Sequence, residues 1–258
     1  MSGLYEKAKR FHSLHVRGQP LVLFNIWDVG SAKAVEGAGA RALGTGSWSV
    51  AKANGFEDGE QVPLDFAIEN LARIARMTDL PVTIDLESGY GHSPDAVGRT
   101  VERSIEAGAV GCNLEDSEPG TGSLRSIAEQ VERIEYARKA AEAKQLPYFI
   151  NVRSDVFFVQ TEPQANDDER IAVVLERAKA YSAAGADGLF VPGLVNATLI
   201  GRVADASPLP LNIMVSDKTP PLRELALLSV ARVSHGPRPY VSMLKKLQEE
   251  ALEAARMA

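Results

Sequence analysis

The chain has 258 residues, of which 45% are hydrophobic and 24% are charged, so it can form one large α/β barrel or two small domains. Its formal net charge of −6 argues against a nucleic-acid-binding protein, which needs a basic surface. No apolar run approaches the roughly 18 residues of a transmembrane helix. The single cysteine, Cys112, excludes an intramolecular disulfide, and we therefore expect a cytoplasmic protein.

Apolar and amphipathic segments alternate along the chain after an amphipathic N-terminal helix. The apolar segments predict eight strands, at residues 21–27, 40–46, 82–86, 110–115, 148–153, 188–191, 209–215 and 231–234. Helices are predicted at residues 31–39, 63–77, 94–107, 124–144, 167–185, 196–204, 221–228 and 237–258. This pattern predicts an α/β fold with a single (β/α)8 TIM barrel domain over residues 1–258. The alternative, an open doubly wound sheet, would carry fewer strands and a phosphate loop after the first one.

In barrels of this kind the active site lies at the C-terminal ends of the strands. The residues that the sequence places there are Trp27, Asp28, Thr45, Gly46, Ser47, Asp85, Glu87, Asn113, Glu115, Asp116, Asn151, Arg153, Asp155, Asn212 and His235. Polar side chains at the ends of apolar strands are costly to bury, so their gathering at one rim predicts a binding site.

Three of these acidic residues are candidate metal ligands. Asp85 and Glu87 alternate at the end of the third strand, so both can face one site, and Glu115 ends the next strand. Carboxylates that are buried together repel unless a cation or a shared proton relieves them, and hard oxygen ligands suit Mg²⁺, with Mn²⁺ as an alternative. They can instead pair with Arg153 and a nearby lysine. Two cations cannot neutralise these three acids together with Asp58, which favours the metal.

Other residues at the rim are candidates for substrate binding and catalysis. Arg153 can bind a carboxylate or phosphonate through two hydrogen bonds, or it can serve as a structural bridge. Backbone N–H groups at residues 45–47 can bind an oxyanion, although the segment can also be only a tight turn. His235 is a candidate acid–base catalyst, although a single histidine is more often packed or solvated. Cys112 alternates with Asn113, and we therefore expect it in the core.

Five segments of the chain resemble the isocitrate lyase/phosphoenolpyruvate mutase superfamily. They are Asn25-Ile26-Trp27-Asp28 with Ser31-Ala32, Thr45-Gly46-Ser47-Trp48-Ser49-Val50-Ala51, Asp85-Leu86-Glu87-Ser88-Gly89-Tyr90-Gly91, Asn113-Leu114-Glu115-Asp116 and Asn151-Val152-Arg153-Ser154-Asp155. The resemblance implies a TIM barrel that assembles as a dimer of dimers, often with a C-terminal helix exchanged between subunits. It also implies a small 2-oxo acid substrate, or its enolate, bound beside Mg²⁺.

The resemblance further implies roles for particular residues. Asp85 would hold Mg²⁺, with Glu87 and Glu115 reaching the ion directly or through water. Backbone N–H groups of Thr45 and Gly46 would bind the enolate oxygen. The full set of predicted substrate contacts is Trp27, Thr45, Gly46, Ser47, Asn113, Arg153 and Asn212, and the predicted catalytic residues are Arg153, Asp58 and His235.

Two departures from the family pattern bear on the reaction. The second carboxylate is Glu87, where the family usually has Asp. The loop after strand four, at residues 117–125, lacks the Lys-Arg-Cys-Gly-His motif of lyase members and the lysine with Asn-Ser or Thr-Asn-Ser of mutase and hydrolase members. The general acid of the isocitrate-type lyases is therefore missing, which argues against that activity and weakens the mutase interpretation.

These observations lead to three hypotheses. The first is a Mg²⁺-dependent lyase or decarboxylase that cleaves a C–C bond of a small 2-oxo acid, such as oxaloacetate, through an enolate. The second is a phosphonopyruvate hydrolase or phosphoenolpyruvate mutase, since mutase-like members place a reactive carboxylate at the position of Asp58. The third is a non-catalytic binder of 2-oxo acids. We expect a homo-oligomer with no nucleic-acid or membrane partner.

Overall fold

Eight parallel strands form a closed barrel in the computed structural model, which describes residues 2–159 and 166–256. The strands are β1 (Leu21–Leu23), β2 (Leu43–Gly44), β3 (Val82–Asp85), β4 (Gly111–Glu115), β5 (Phe149–Arg153), β6 (Gly188–Phe190), β7 (Leu211–Met214) and β8 (Arg232–Ser234). Their order in the sheet is β1-β8-β7-β6-β5-β4-β3-β2. A parallel bridge between Ile26 and Thr45 joins the two ends of the sheet. The predicted (β/α)8 barrel is confirmed, and an open sheet is excluded.

Helices surround the barrel and alternate with its strands. They are α1 (Ser2–Ser13), α2 (Val29–Gly37), α3 (Ser47–Ala53), α4 (Leu64–Arg76), α5 (Pro94–Glu106), α6 (Ile127–Ala143), α7 (Asp167–Ala183), α8 (Ala197–Ala206), α9 (Leu222–Leu227) and α10 (Arg238–Arg256). The sequence predicted a loop where α3 lies. This helix begins after Gly46 with no side-chain cap, so it lacks the usual N-terminal signal. Residues 1, 257 and 258 lie outside the described residues.

Three helices begin at capping boxes, and these correct two of the predicted N-termini. Asp28 caps α2, which therefore begins two residues before the predicted start at residue 31, because its carboxylate accepts a hydrogen bond from the Ser31 backbone N–H at 2.7 Å. Ser126 caps α6, which therefore begins three residues later than predicted. Asn166 caps α7, so its capping residue lies directly before the predicted helix start at residue 167. In each box the residue at the third helical position bonds back to the cap, which fixes the start of the helix.

The core lies inside the barrel and between the strands and helices. It is built from aliphatic residues of every strand, and Cys112 is fully buried in it, as predicted. None of the helices over residues 2–159 and 166–256 is long and apolar enough to cross a bilayer. The register of the strands brings polar residues together at the C-terminal rim: Asp85 of β3 pairs with Asn113 of β4, and Glu115 of β4 pairs with Arg153 of β5.

Candidate active site

A cavity of about 250 Å³ lies at the C-terminal rim of the barrel. Its polar wall includes Asp58, Asp85, Asn113 and Arg153, and its apolar wall includes Phe190 and Met214 among others. A cavity of this size and mixed polarity suits a small polar ligand. Its position at the strand ends is where barrel enzymes place their active sites.

The cavity brings together only part of the predicted site. The predicted residues that line it are Gly46, Ser47, Asp58, Asp85, Asn113 and Arg153. Trp27 lies outside it and packs edge-on against Tyr240, with ring centroids 5.1 Å apart. Asn212 is buried and donates a hydrogen bond to the Ser234 hydroxyl at 3.2 Å. Neither side chain lines the cavity, and substrate contact by Trp27 and Asn212 stays a prediction.

His235 does not face the cavity either. Its ring packs against Phe24 at a centroid distance of 4.9 Å, while the next two residues, Gly236 and Pro237, line the cavity. Burial, and then the charge of Arg238, lower the pKa of His235 below its usual value. His235 itself is not among the residues that line the cavity, and its predicted catalytic use stays a prediction.

The structure also corrects the predicted role of two backbone N–H groups. The N–H of Thr45 donates to the Thr83 carbonyl at 3.1 Å, and that of Gly46 donates to the Ile26 carbonyl at 3.0 Å. Both bonds help to close the barrel between β1, β2 and β3, so neither N–H is free for an oxyanion. The Ser47 N–H lies 3.5 Å from Asp85 Oδ2 and faces the cavity region.

Asp85 is the carboxylate that the barrel presents most directly to the cavity. Its Oδ1 accepts a hydrogen bond from the Glu87 N–H at 3.2 Å, and its own N–H donates to the Thr45 hydroxyl at 3.0 Å. Burial raises the pKa of Asp85, Arg153 opposes the shift, and Asp58 adds to it. Burial thus disfavours the charged form of Asp85, and its carboxylate oxygens, with one hydrogen bond each, keep acceptor capacity for a ligand.

Glu87 turns away from the cavity and binds a neighbouring loop. Its Oε2 accepts hydrogen bonds from the N–H groups of Gly59 and Glu60, at 2.8 and 2.7 Å, and its Oε1 accepts one from the Tyr90 hydroxyl at 3.1 Å. Glu87 is 4% exposed. Burial raises its pKa to about 7, and the charges of Asp58 and Asp85 contribute.

Glu60, from the loop that Glu87 binds, in turn binds the loop after β3. We call this reciprocal pair of contacts the carboxylate latch (Glu60 and Glu87). Glu60 Oε1 accepts from the Ser88 hydroxyl at 2.6 Å and from the Tyr90 N–H at 2.8 Å. Glu60, Glu87 and Tyr90 all have left-handed backbones, with φ of 61°, 50° and 54°. Such strain persists where surrounding bonds enforce it. The latch therefore fixes the loop that carries Asp58 against the loop after β3.

Arg153 is held from behind by two carboxylates. Its Nη1 lies 2.8 Å from Glu115 Oε2, and its Nε donates to Asp155 Oδ1 at 2.6 Å. The Ser117 hydroxyl lies between the same two acids, 3.0 Å from Glu115 and 2.8 Å from Asp155. Burial raises the pKa of Glu115 to about 8, although Arg153 opposes the shift. These contacts leave the Nη2 donors of Arg153 for a ligand.

The loop after β4 is a short hairpin anchored at its base. The Glu118 N–H donates to the Ser123 carbonyl at 2.9 Å, and the Arg125 N–H donates to the Asp116 carbonyl at 2.8 Å. Asp116 is fully buried, and its carboxylate accepts hydrogen bonds from Arg177 at 3.1 Å and from the Tyr181 hydroxyl at 2.9 Å. The sequence placed Asp116 at a strand end but gave no sign of this anchoring role, because both partners come from α7.

The charges at the rim fit a divalent cation, although the three predicted ligands are not gathered around one point. Within the described ranges, no group of three acidic, histidine or cysteine side chains is arranged to hold a metal ion. Burial raises the pKa of Asp85, Glu87 and Glu115 alike, and negative neighbours add to each shift. A hard cation beside Asp85 would relieve this repulsion. Ligation by Glu87 and Glu115 stays a prediction.

A TIM barrel with carboxylates and an arginine around a small cavity at its C-terminal rim has the form of a barrel enzyme for small anions. Residues 11–255 match the model of the phosphoenolpyruvate phosphomutase family. The chain therefore belongs to this family, within the phosphoenolpyruvate mutase/isocitrate lyase superfamily, which confirms the resemblance of its motifs.

Several relatives are known by sequence or structure. A protein of Burkholderia cenocepacia J2315, provisionally named a phosphonomutase, is 54% identical with a TM-score of 0.94, covering 97% of this chain and 99% of that one. The 2-methylisocitrate lyase of Escherichia coli (strain K12) is 29% identical over 225 residues, 84% of this chain and 73% of the relative. The oxaloacetate decarboxylase of Ectopseudomonas mendocina (strain ymp) is 32% identical over 200 residues, 74% of this chain and 64% of the relative.

The superfamily thus contains both C–C lyases and enzymes of the P–C bond. A phosphonopyruvate hydrolase whose structure was determined with oxalate and Mg²⁺ has the same fold, with a TM-score of 0.83 and 19% identity, covering 97% of this chain and 87% of that one. At this identity the match supports the fold alone.

Proposed function

We propose that the protein is a Mg²⁺-dependent lyase or decarboxylase that cleaves a C–C bond of a small 2-oxo acid through an enolate. The observation that carries the proposal is the convergence of Asp85, Asn113 and Arg153 on one small cavity. This set combines a carboxylate for a cation with donors for anionic oxygens. Kinship with a 2-methylisocitrate lyase and an oxaloacetate decarboxylase supports the C–C bond as the target.

The arginine supplies the substrate clamp in this proposal. Glu115 and Asp155 occupy the Nη1 and Nε side of Arg153, and its guanidinium carbon lies 5.2 Å from the centre of the Phe158 ring. A guanidinium fixed on one edge and stacked on one face loses little freedom when its other edge binds a carboxylate. Arg153 therefore orients the substrate by its carboxylate without a large entropic cost.

Asp85 would hold the metal, with Glu87 and Glu115 as the further predicted ligands, and Mn²⁺ is an alternative to Mg²⁺. When bound, the ion supplies Lewis-acid stabilisation of the charge that develops on the 2-oxo oxygen. Asp85 keeps acceptor capacity on the cavity side, and Asp58 faces the same space. Because the hairpin at residues 117–125 contains no cysteine, histidine or lysine, water returns the proton to the product carbanion.

The test is turnover by purified protein with Mg²⁺ and a panel of 2-oxo acids, followed by release of CO₂ or an aldehyde. We expect turnover to be lost in Asp85→Ala and retained in Asp205→Ala, an exposed aspartate on α8 that serves as the matched control. Undiminished turnover in Asp85→Ala would exclude the role given to this residue. Tight binding of oxalate without turnover of any panel member would favour a non-catalytic binder.

P–C bond chemistry is the second candidate, and the position of Asp58 favours it. This carboxylate lines the cavity, held there by the carboxylate latch, and can act on a transferring phosphoryl group or on water. The relative at 54% identity carries a provisional phosphonomutase name. Incubation with phosphonopyruvate followed by ³¹P NMR separates this reaction from the first, since P–C cleavage or rearrangement gives the signal of inorganic phosphate or a phosphate ester, whereas C–C cleavage leaves a phosphonate.

We also propose that two copies of the chain associate through α10. The helix exposes apolar side chains along its length, among them Val241 (50% exposed), Leu247 (57%) and Leu252 (52%). An apolar groove of about 530 Å³ runs beside β1 and α2, lined by Leu21 and Phe24. Burying exposed apolar surface of this extent favours association. Light scattering should give a dimer or tetramer, and Leu247→Asp should lower the mass.

The cytoplasm is the compartment that we propose for this enzyme. The one cysteine of the chain, Cys112, is a buried free thiol. A chain without disulfides suits a reducing compartment. Cell fractionation followed by immunoblotting would test the proposal, and recovery of the protein outside the cytoplasmic fraction would contradict it.

A further inference from the structure

A buried arginine lies inside the barrel and takes no part in the chemistry described above. Arg232 begins β8 and is 1% exposed. Its Nη2 donates to the Asn113 side-chain oxygen at 3.3 Å, whereas its Nε and Nη1 have no hydrogen-bond partner within the described residues. No carboxylate of the described ranges forms a salt bridge with it. Burying a charged guanidinium with only one hydrogen bond costs free energy. A functional role would explain why an arginine occupies this position.

The partner of Arg232 is a cavity residue whose orientation matters. Asn113 Oδ1 accepts hydrogen bonds from Asn151 Nδ2 at 2.9 Å and from Arg232 Nη2 at 3.3 Å. A guanidinium can only donate, so the end of the Asn113 amide that faces Arg232 must be the oxygen. The opposite end, the Nδ2 amide group, is left free on a side chain that lines the cavity. An asparagine without such a donor can turn its amide over.

We propose that Arg232 is a positioning residue, which fixes the Asn113 amide so that its N–H groups point to an anionic oxygen of the bound 2-oxo acid. This inference rests on the function proposed above and adds a specificity element to it. The ligand must present an acceptor oxygen to Asn113, opposite the carboxylate that Arg153 binds. A ligand that offers a donor there instead leaves two donors facing each other.

The positive charge of Arg232 favours binding of an anion in the cavity, as does its hydrogen bond to Asn113. Burial lowers the pKa of Arg232 to about 9, and Asp85 is the first of the charges that oppose this shift. The guanidinium is therefore still charged at neutral pH, and its positive potential acts in a region of low dielectric constant near Asp85. An anion in the cavity gains from that potential, whereas the empty protein bears the cost of burying the charge.

A merely structural role and a positioning role predict different results. Replacing a buried, poorly paired ion by an apolar side chain of similar size is often neutral or stabilising. We therefore expect Arg232→Met to keep or raise the melting temperature, while the dissociation constant for oxalate, measured by calorimetry with saturating Mg²⁺, rises about tenfold. In turnover assays KM should rise by a similar factor, with little change in kcat, because the lost interaction orients the bound ligand.

A double-mutant cycle tests whether Arg232 acts through Asn113. Asn113→Ala should weaken oxalate binding by itself, and adding Arg232→Met to it should change the dissociation constant less than twofold. An equal tenfold loss in both backgrounds would overturn the positioning role, as would unchanged oxalate binding in Arg232→Met alone. Failure of the wild type to bind oxalate would also overturn it. Oxalate binding without turnover would refute the proposed lyase activity while leaving this inference intact.

A second variant covers the case in which Arg232→Met does not fold. In Asn113→Asp the new carboxylate keeps the shape of the side chain and pairs with Arg232, but it replaces the N–H donors that face the cavity by an oxygen. We expect a higher melting temperature together with weaker oxalate binding, by tenfold or more. Oxalate binding as tight as in the wild type would show that the Asn113 amide does not contact the ligand, and would overturn the inference.

Discussion

Replacing Glu87 by glutamine should make the metal-free protein more stable, and by more at higher pH. In the carboxylate latch, Glu87 accepts two backbone hydrogen bonds and one from Tyr90 while it is almost completely buried. A glutamine can keep all three contacts: its oxygen accepts from the backbone of residues 59 and 60, and its amide group donates to the Tyr90 oxygen. The substitution therefore removes the charge and little else.

The size of the effect follows from the raised pKa of Glu87. Burial raises this pKa from 4.5 to about 7, so between these two values the folded protein binds more protons at this site than the unfolded chain does. Stability from this group is complete below pH 4.5 and is lost as the pH rises to about 7. Each pH unit in this interval costs about 1.4 kcal/mol. The wild type should therefore lose about 2 kcal/mol relative to Glu87→Gln between pH 5.5 and 7.

Urea denaturation of both proteins at pH 5.5, 7 and 8, in the presence of a chelator, measures this difference. Glu115 titrates in both proteins, and because the charge of Glu87 is only a minor cause of its raised pKa, most of its contribution cancels in the comparison. Glu69→Gln, at an exposed position on α4, is the control, because it removes the same charge without removing a buried one. A difference between Glu87→Gln and the wild type that stays constant from pH 5.5 to 8 would refute the claim that burial strains the Glu87 charge.

Three further predictions follow from the site and the core. Mg²⁺ should bind more tightly at pH 8 than at pH 6, because carboxyls whose pKa is raised must lose their protons to receive it; calorimetry showing equal affinities would contradict this. Gly188→Ala should lower the free energy of unfolding by about 1–3 kcal/mol, since its Cβ would lie 2.6 Å from the Asn151 side-chain oxygen; an unchanged urea midpoint would count against it. Burial raises the pKa of Cys112 to about 12, so a thiol reagent should label it only on unfolding, and rapid labelling of the native protein would show that the barrel opens.

Periodicity predicted the strands and the barrel because both depend on local sequence. Alternating apolar segments identify buried strands, and their number and the chain length select the closed topology. The predicted helix boundaries were less accurate where the capping residue was not identified from the sequence, as with Asp28 of α2 and Asn166 of α7. Helix α3 was missed, since its seven residues follow a glycine and carry no capping side chain.

The site was predicted less completely than the fold, because its geometry depends on contacts between distant segments. Strand ends and motifs located Asp85, Asn113 and Arg153 correctly at the cavity. The direction of Glu87 could not be predicted, since it depends on a left-handed backbone and on two N–H groups nearly thirty residues upstream. The buried position of Arg232 could not be predicted either. An arginine in an apolar strand is expected to face outward, because charged side chains are seldom fully buried.

The anchored hairpin after β4 allows its tip to change in evolution without a change in the barrel wall. Its base is tied to Asp116, so a residue exchanged at the tip, around residues 119–122, leaves the barrel wall intact. Members of one lineage can therefore acquire a new proton donor, or lose an old one, by changing a few exposed positions at little cost in folding. A library randomised over this tip is a natural starting point for redirecting the barrel to other acids.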